Sequence, residues 1–148
     1  MSDDPKAVAR RFYDLMEKWD PDELESICSP DVKGHAGAGA TLELLKGSIG
    51  GFLQAFPDLR TKIRHLVRED DVVSAWVTYE GTHQEEFAGV PAAGSPVKFA
   101  AWDVFRIHDG AIVEISSACD IFTILNQIGA MPTATPPDRS TTEQRSSK

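Results

Sequence analysis

"KFAAWDVFRIHDGAIVEISSACD", residues 98–120, contains two runs of β character joined by Asp109-Gly110. In the first run Phe99, Ala101, Asp103, Phe105 and Ile107 recur at every second position, the period of a strand with one buried face. Asp-Gly between two such runs is the favoured composition of a tight hairpin turn, since both turn residues take positive φ. The stretch predicts strands over 97–108 and 112–120, and it sets an acid, Asp103, in line with the apolar side chains.

Working outward, residues 59–68 and 72–81 flank the hinge "REDD" and predict two further strands, so that four consecutive strands form antiparallel hairpins. The N-terminal half has helical spacing instead. Asp4-Pro5 supplies a capping acceptor and a proline at the first helical position, and Val8, Phe12, Leu15 and Trp19 then share one face. Asp20-Pro21 repeats the cap for a short helix with Leu24 and Ile27 inward, closed by "SPD". A short strand over 32–35 precedes a helix over 41–56 with Leu42, Leu45, Ile49, Phe52 and Phe56 on one side. Gly47, Gly50 and Gly51 weaken that helix by roughly 1 kcal/mol each relative to alanine, which points to close approach of another group to its surface. A last short helix follows over 121–128. Helices followed by a long antiparallel sheet define an α+β class, a cone in which the helices cover one curved face and enclose an apolar pocket. The domain is expected to span residues 1–130, with 131–148 a disordered tail because that segment has almost nothing apolar to bury.

Bulk properties narrow the function. At 148 residues the chain can form one domain with room for an internal pocket. A formal net charge of −8 opposes a nucleic-acid partner, which requires clustered basic residues. Cys28 and Cys119 form neither a disulfide framework nor a metal-ligand spacing. With no signal-like N-terminus and no long apolar run, the expectation is a cytoplasmic protein without a membrane partner. Nucleotide loops, nucleophile elbows and zinc motifs are absent from the sequence, so the chemistry expected is that of carboxylates and histidines without metal or cofactor.

Asp120 ends the last strand and precedes the apolar "IFTIL". It reads either as a carboxylate held against apolar surface, with the raised pKa that suits proton transfer, or as the cap of the final helix. Asp103 reads either as a second pocket carboxylate or as the partner of Arg64, Arg68 or Arg106. His35 and His83 each follow an apolar strand and precede a glycine-containing loop, from which a side chain can reach a pocket mouth; His65 and His108 read as surface residues. Ser116 and Ser117 read as small strand residues that leave pocket volume.

"AFPDL" (55–59), "GTHQEEFAGVPAAGSPV" (81–97), "DVFRIHDGAIVE" (103–114) and "DIFTILNQIG" (120–129) together resemble the SnoaL-like polyketide cyclases of the NTF2-like superfamily. The resemblance covers residues 5–130. It implies a cofactor-independent enzyme that closes the last ring of an aromatic polyketide methyl ester by intramolecular aldol condensation, with the family's acid/base at Asp120. It further implies His83 as a residue of the cavity mouth, and His35 and Asp103 as positioning or polarising groups. Phe12, Phe52, Trp76, Phe87, Trp102 and Ser116 are the residues expected on the ligand, with Trp76 and Trp102 open also to simple sheet packing. A homodimer through the outer sheet face is implied as well. One departure stands out: where many members read "GKIxEHWxxxD", this chain has "GAIVEISSACD", with Ile115 and Ser116 in place of histidine and tryptophan. That change leaves room for a hydroxylase-like or isomerase reaction on a similar substrate, or for a non-catalytic binding module.

Overall fold

The structure is a computed structural model and describes residues 4–130; the expected tail lies outside them. Helix α1 (Pro5–Glu17) starts where Asp4 accepts from the Lys6 amide, and it buries Val8, Phe12, Tyr13 and Leu15. Helix α2 (Pro21–Ile27) is capped by Asp20 and turns Leu24 and Ile27 inward. Strand β1 (Cys28–Ala36) follows with no intervening residue, so "SPD" lies within the strand rather than closing the helix. Helix α3 (Leu42–Ala55) is capped by Thr41. Strands β2 (Arg60–Glu69), β3 (Val72–Thr82), β4 (Pro96–His108) and β5 (Ala111–Cys119) lead to helix α4 (Ile121–Gln127). Among the described residues no helix is long and apolar enough to cross a membrane.

The strands form one sheet in the order β1-β5-β4-β3-β2. Neighbours β2 to β5 are antiparallel, as the hairpin composition requires, and Asp109 and Gly110 both take positive φ in the turn between β4 and β5. The sheet is nevertheless mixed, because β1 pairs parallel with β5. No hairpin constrains that pair: α3 and three strands separate β1 from β5 in the chain, so the direction of β1 is set by packing.

Strand β4 alternates strictly, with Val97, Phe99, Ala101, Asp103, Phe105 and Ile107 buried. The helices cover this inner face, and one continuous core joins α1, α2 and α3 to it. Strand β5 departs from alternation at a bulge: Ile107 lies opposite Ile112, but Arg106 lies opposite Glu114, leaving Val113 as the extra residue. Beyond the bulge Asp103 faces Ser117. Helix α4 is clipped to the start of β4 by Gln127, whose Oε1 accepts from the Lys98 amide and whose Nε2 donates to the Lys98 carbonyl.

Of the glycines in α3, Gly50 packs near the Trp19 indole, while a Cβ at Gly47 or Gly51 would meet nothing. The close approach expected of all three therefore applies to Gly50. Gly34 is more constrained: a Cβ there would lie 1.7 Å from the carbonyl oxygen of Gly39. Gly34→Ala is expected to displace the 37–40 loop and cost about 3 kcal/mol, read as a fall of roughly 10 °C in Tm.

Candidate active site

A cavity of about 160 Å³ lies between the helices and the inner face of the sheet. Helix α1 contributes Phe12 and Met16, and α3 contributes Leu45, Ser48, Ile49, Phe52 and Leu53. The sheet supplies Tyr79, Phe99, Ala101, Asp103, Ser117 and Cys119. The lining is mostly aliphatic and aromatic, with a few convergent polar groups, the composition of a small-molecule site.

Asp103 is the carboxylate of this cavity and is only 4% exposed. Among the described residues no arginine pairs with it: Arg106 faces outward to Asp71 and Glu114, Arg64 donates to Thr78, and Arg68 to the Asp70 carbonyl and Asp4. Its partners are neutral hydroxyls instead. Tyr13 donates to Oδ2 at 2.5 Å, and Ser117 donates to Oδ1. Burial raises the Asp103 pKa, opposed in part by the hydrogen bonds from Ser117 and Tyr13. Burial, followed by the Asp103 charge, raises the Tyr13 pKa, so Tyr13 remains a donor. Its ring is held edge-on between Phe12 and Phe105 at 5.4 and 5.9 Å. At the cavity wall the Cys119 thiol is pushed up to about 11, first by burial and then by Asp103 and Asp120.

Asp120 takes the capping role that the sequence held open. Its Oδ1 accepts from the Thr123 amide at 3.2 Å and its Oδ2 from the Thr123 hydroxyl at 2.6 Å, and it does not line the cavity. His83 is fully buried, behind the lining rather than in it. Its Nδ1 accepts from the Ala93 amide, which assigns the proton to Nε2, and its ring lies 5.8 Å from that of Phe56. His35 stands on the opposite side of the sheet, half exposed, 2.9 Å from Glu114.

Among the residues expected on the ligand, Phe12 and Phe52 line the cavity. Phe87 packs edge-on against Phe52 and Phe56, one shell out. Trp76 and Trp102 are cross-strand neighbours on the outer face, where Trp76 stacks on His65. Ser116 also faces away, and Ser117 takes the inward place. The bulge is the reason: an unbulged Asp-Gly hairpin would set Asp103 opposite Ser116, and one extra residue exchanges the two serines. Tyr13 and Ser117 as partners of Asp103 were missed by sequence reasoning. The available signal for Tyr13 was its place beside Phe12 on the inward side of α1.

Fold and site together define an α+β cone of the NTF2-like, ketosteroid isomerase-like kind, with an acid in its apolar interior. The sequence profile of the SnoaL-like polyketide cyclases matches residues 6–128, and the chain belongs to that family. AclR of Streptomyces galilaeus, for which a hydroxylase role has been suggested, is 27% identical with a TM-score of 0.79, over 86% of this chain and 97% of that one. IdmH of Streptomyces antibioticus, for which a polyketide cyclase role has been suggested, is 28% identical with a TM-score of 0.77, over 86% and 99%. A SnoaL-like protein of Jannaschia shares the fold at 20% identity and a TM-score of 0.77, over 86% and 93%. No curated protein matches the sequence.

The raised pKa of Asp103 carries a sign. The folded state keeps this proton to higher pH than the unfolded chain, so stability falls as pH rises from the unfolded carboxylate value through the folded one. Asp103→Asn is expected to remove that downward slope from a Tm-versus-pH series.

Proposed function

We propose that the protein is a cofactor-independent enzyme of aromatic polyketide tailoring, an aldol cyclase in which Asp103 is the acid and base. The observation that carries this reading is a carboxylate buried in an apolar cavity, with hydroxyl partners and, among the described residues, no cationic partner. Asp103 takes the part that the resemblance gave to Asp120, whose oxygens are occupied by Thr123 outside the cavity. A desolvated carboxylate is a stronger base than one in water, and it suits removal of a proton already acidified by neighbouring carbonyls. The C–H bond breaks, its electron pair delocalises as an enolate, and the enolate carbon attacks a second carbonyl of the same molecule. The new alkoxide then recovers the proton from Asp103, and the product has the mass of the substrate.

A cavity of about 160 Å³ is on the scale of one or two rings. A larger polyketide requires the α3 wall to give way, and Gly47 and Gly51 lower the stability of that wall without serving any packing contact. Similarity to AclR supports a second reading, hydroxylation of the same kind of substrate, and Ile115 in place of the family histidine is consistent with altered chemistry.

The test is product-resolved incubation of a tricyclic polyketide methyl ester. Wild-type protein is expected to give a ring-closed isomer of unchanged mass. Asp103→Asn should slow its formation on the order of 1,000-fold, while Asp120→Asn, which keeps a capping side chain, should stay near wild type. The reverse ranking would falsify the assignment of Asp103. A product heavier by one oxygen would favour hydroxylation, and bound but unchanged ligand would favour a binding module.

The same reading includes a homodimer through the outer sheet face, where Trp102 is 51% exposed beside Trp76 and Val104. Trp102→Glu is expected to shift the protein from dimer to monomer in light scattering. A monomeric wild type would remove this part of the proposal.

A further inference from the structure

The cavity holds few polar groups, and most are already engaged. Asp103 accepts from Tyr13 and Ser117, which fixes the Ser117 proton on the carboxylate. Ser48 donates to backbone carbonyls at Ala38 or Leu45. The thiol of Cys119 is a weak donor. Tyr79 differs from all of these. It lines the cavity, is only 6% exposed, and its ring is stacked on that of Phe99 at 5.3 Å. Among the described residues its hydroxyl makes no hydrogen bond, although a buried phenol ordinarily finds a partner. Nor is that oxygen sealed in protein, since the fully enclosed side-chain atoms without a partner are Thr61 Oγ1 and His83 Nε2. Its residue lines the cavity in company with Asp103.

We propose that Tyr79 is a second catalytic residue, the hydrogen-bond donor that stabilises the oxyanion formed on the substrate while Asp103 holds the substrate's proton. The inference rests on the acid–base reading of Asp103. Its chemistry follows from what each step must balance. Removal of the C–H proton by Asp103 moves an electron pair onto a carbonyl oxygen, and C–C bond formation then moves a pair onto the oxygen of the attacked carbonyl. Each leaves negative charge on an oxygen inside an apolar enclosure, where a fixed donor acts more strongly than water and needs no reorganisation. Tyr79 donates without losing its proton. Burial raises its pKa, and the nearby Asp103 and Cys119 charges raise it further, so the phenol does not become a competing anion. Proton transfer remains with Asp103. Tyr79 sits on β3 and Asp103 on β4, so the two groups approach a bound ring from different strands.

Tyr79→Phe deletes only the hydroxyl and retains the stacked ring, so the fold and Tm should be unchanged. With the polyketide methyl ester, kcat is expected to fall on the order of 100-fold with little change in KM, the pattern of a contact made mainly in the transition state. A second measurement needs no turnover. β-Naphthol, a flat two-ring phenol whose naphtholate has a distinct absorption and emission spectrum, is titrated into Asp103→Asn, where no carboxylate charge repels the anion. The bound naphtholate-to-naphthol ratio at fixed pH should be roughly tenfold higher there than in Asp103→Asn/Tyr79→Phe. Equal ratios in the two proteins, or no binding of the probe to Asp103→Asn, would overturn the role of Tyr79. If Asp103→Asn loses turnover but Tyr79→Phe does not, the Tyr79 role is overturned and the acid–base reading stands. If Asp103→Asn turns over normally while the naphtholate ratios differ, the acid–base reading falls and the donor stands.

Discussion

Asp103 could not remain in the core of this protein without its hydroxyl partners. A carboxylate buried among phenylalanines and leucines without compensation would carry a desolvation penalty large against the whole stability of a small domain. Here it is offset by two neutral donors rather than by a cation. A guanidinium at that place would hold the acid ionised and lower its basicity. Hydroxyls lower the penalty and still leave the pKa raised. Helix α1 is tied to this requirement: Phe12 lines the cavity, and the next residue, Tyr13, reaches the carboxylate behind it.

The sheet meets the other half of the constraint through one irregularity. Strict alternation along β4 carries Asp103 inward, but the identity of the residue facing it depends on the count through the turn. The extra residue at Val113 keeps Ile112 and Ile115 both in the core and exchanges Ser116 for Ser117 opposite the acid. A bulge at the rim of a curved sheet re-aims side chains at little loss of pairing. Beyond it, the inward positions of β5 form part of the cavity wall, and the outward ones continue a polar surface from Glu114 to Arg106 and His35.

The two faces of the sheet thus separate tasks that look alike in sequence. Both carry aromatic residues and both carry acids. Inside, Phe99, Tyr79 and Asp103 surround a small apolar volume; outside, Trp76 and Trp102 share the face with an array in which His35, Glu114, Arg106, Asp71 and His108 are paired in succession. His83 belongs to neither face, since its fully buried ring ties the end of β3 to the loop before β4.

The sequence by itself determined the elements and the place of Asp103 on the apolar face of its strand, because capping pairs, helical spacing, Asp-Gly turns and two-residue alternation are local and each acts within a few residues. It also carried the family, through motifs spread from Ala55 to Gly129. It left open whether Asp120 caps the last helix, what Asp103 would meet, and which of two adjacent serines faced the cavity. Those choices were made only by tertiary structure. The partner of a buried acid is set by helix-to-sheet packing between residues as distant as Tyr13 and Asp103, and the facing residue by a bulge whose one-residue shift has no local signature. The parallel pairing of β1 with β5 is of the same kind, since no turn links the two strands and the core alone decides which edge β1 joins.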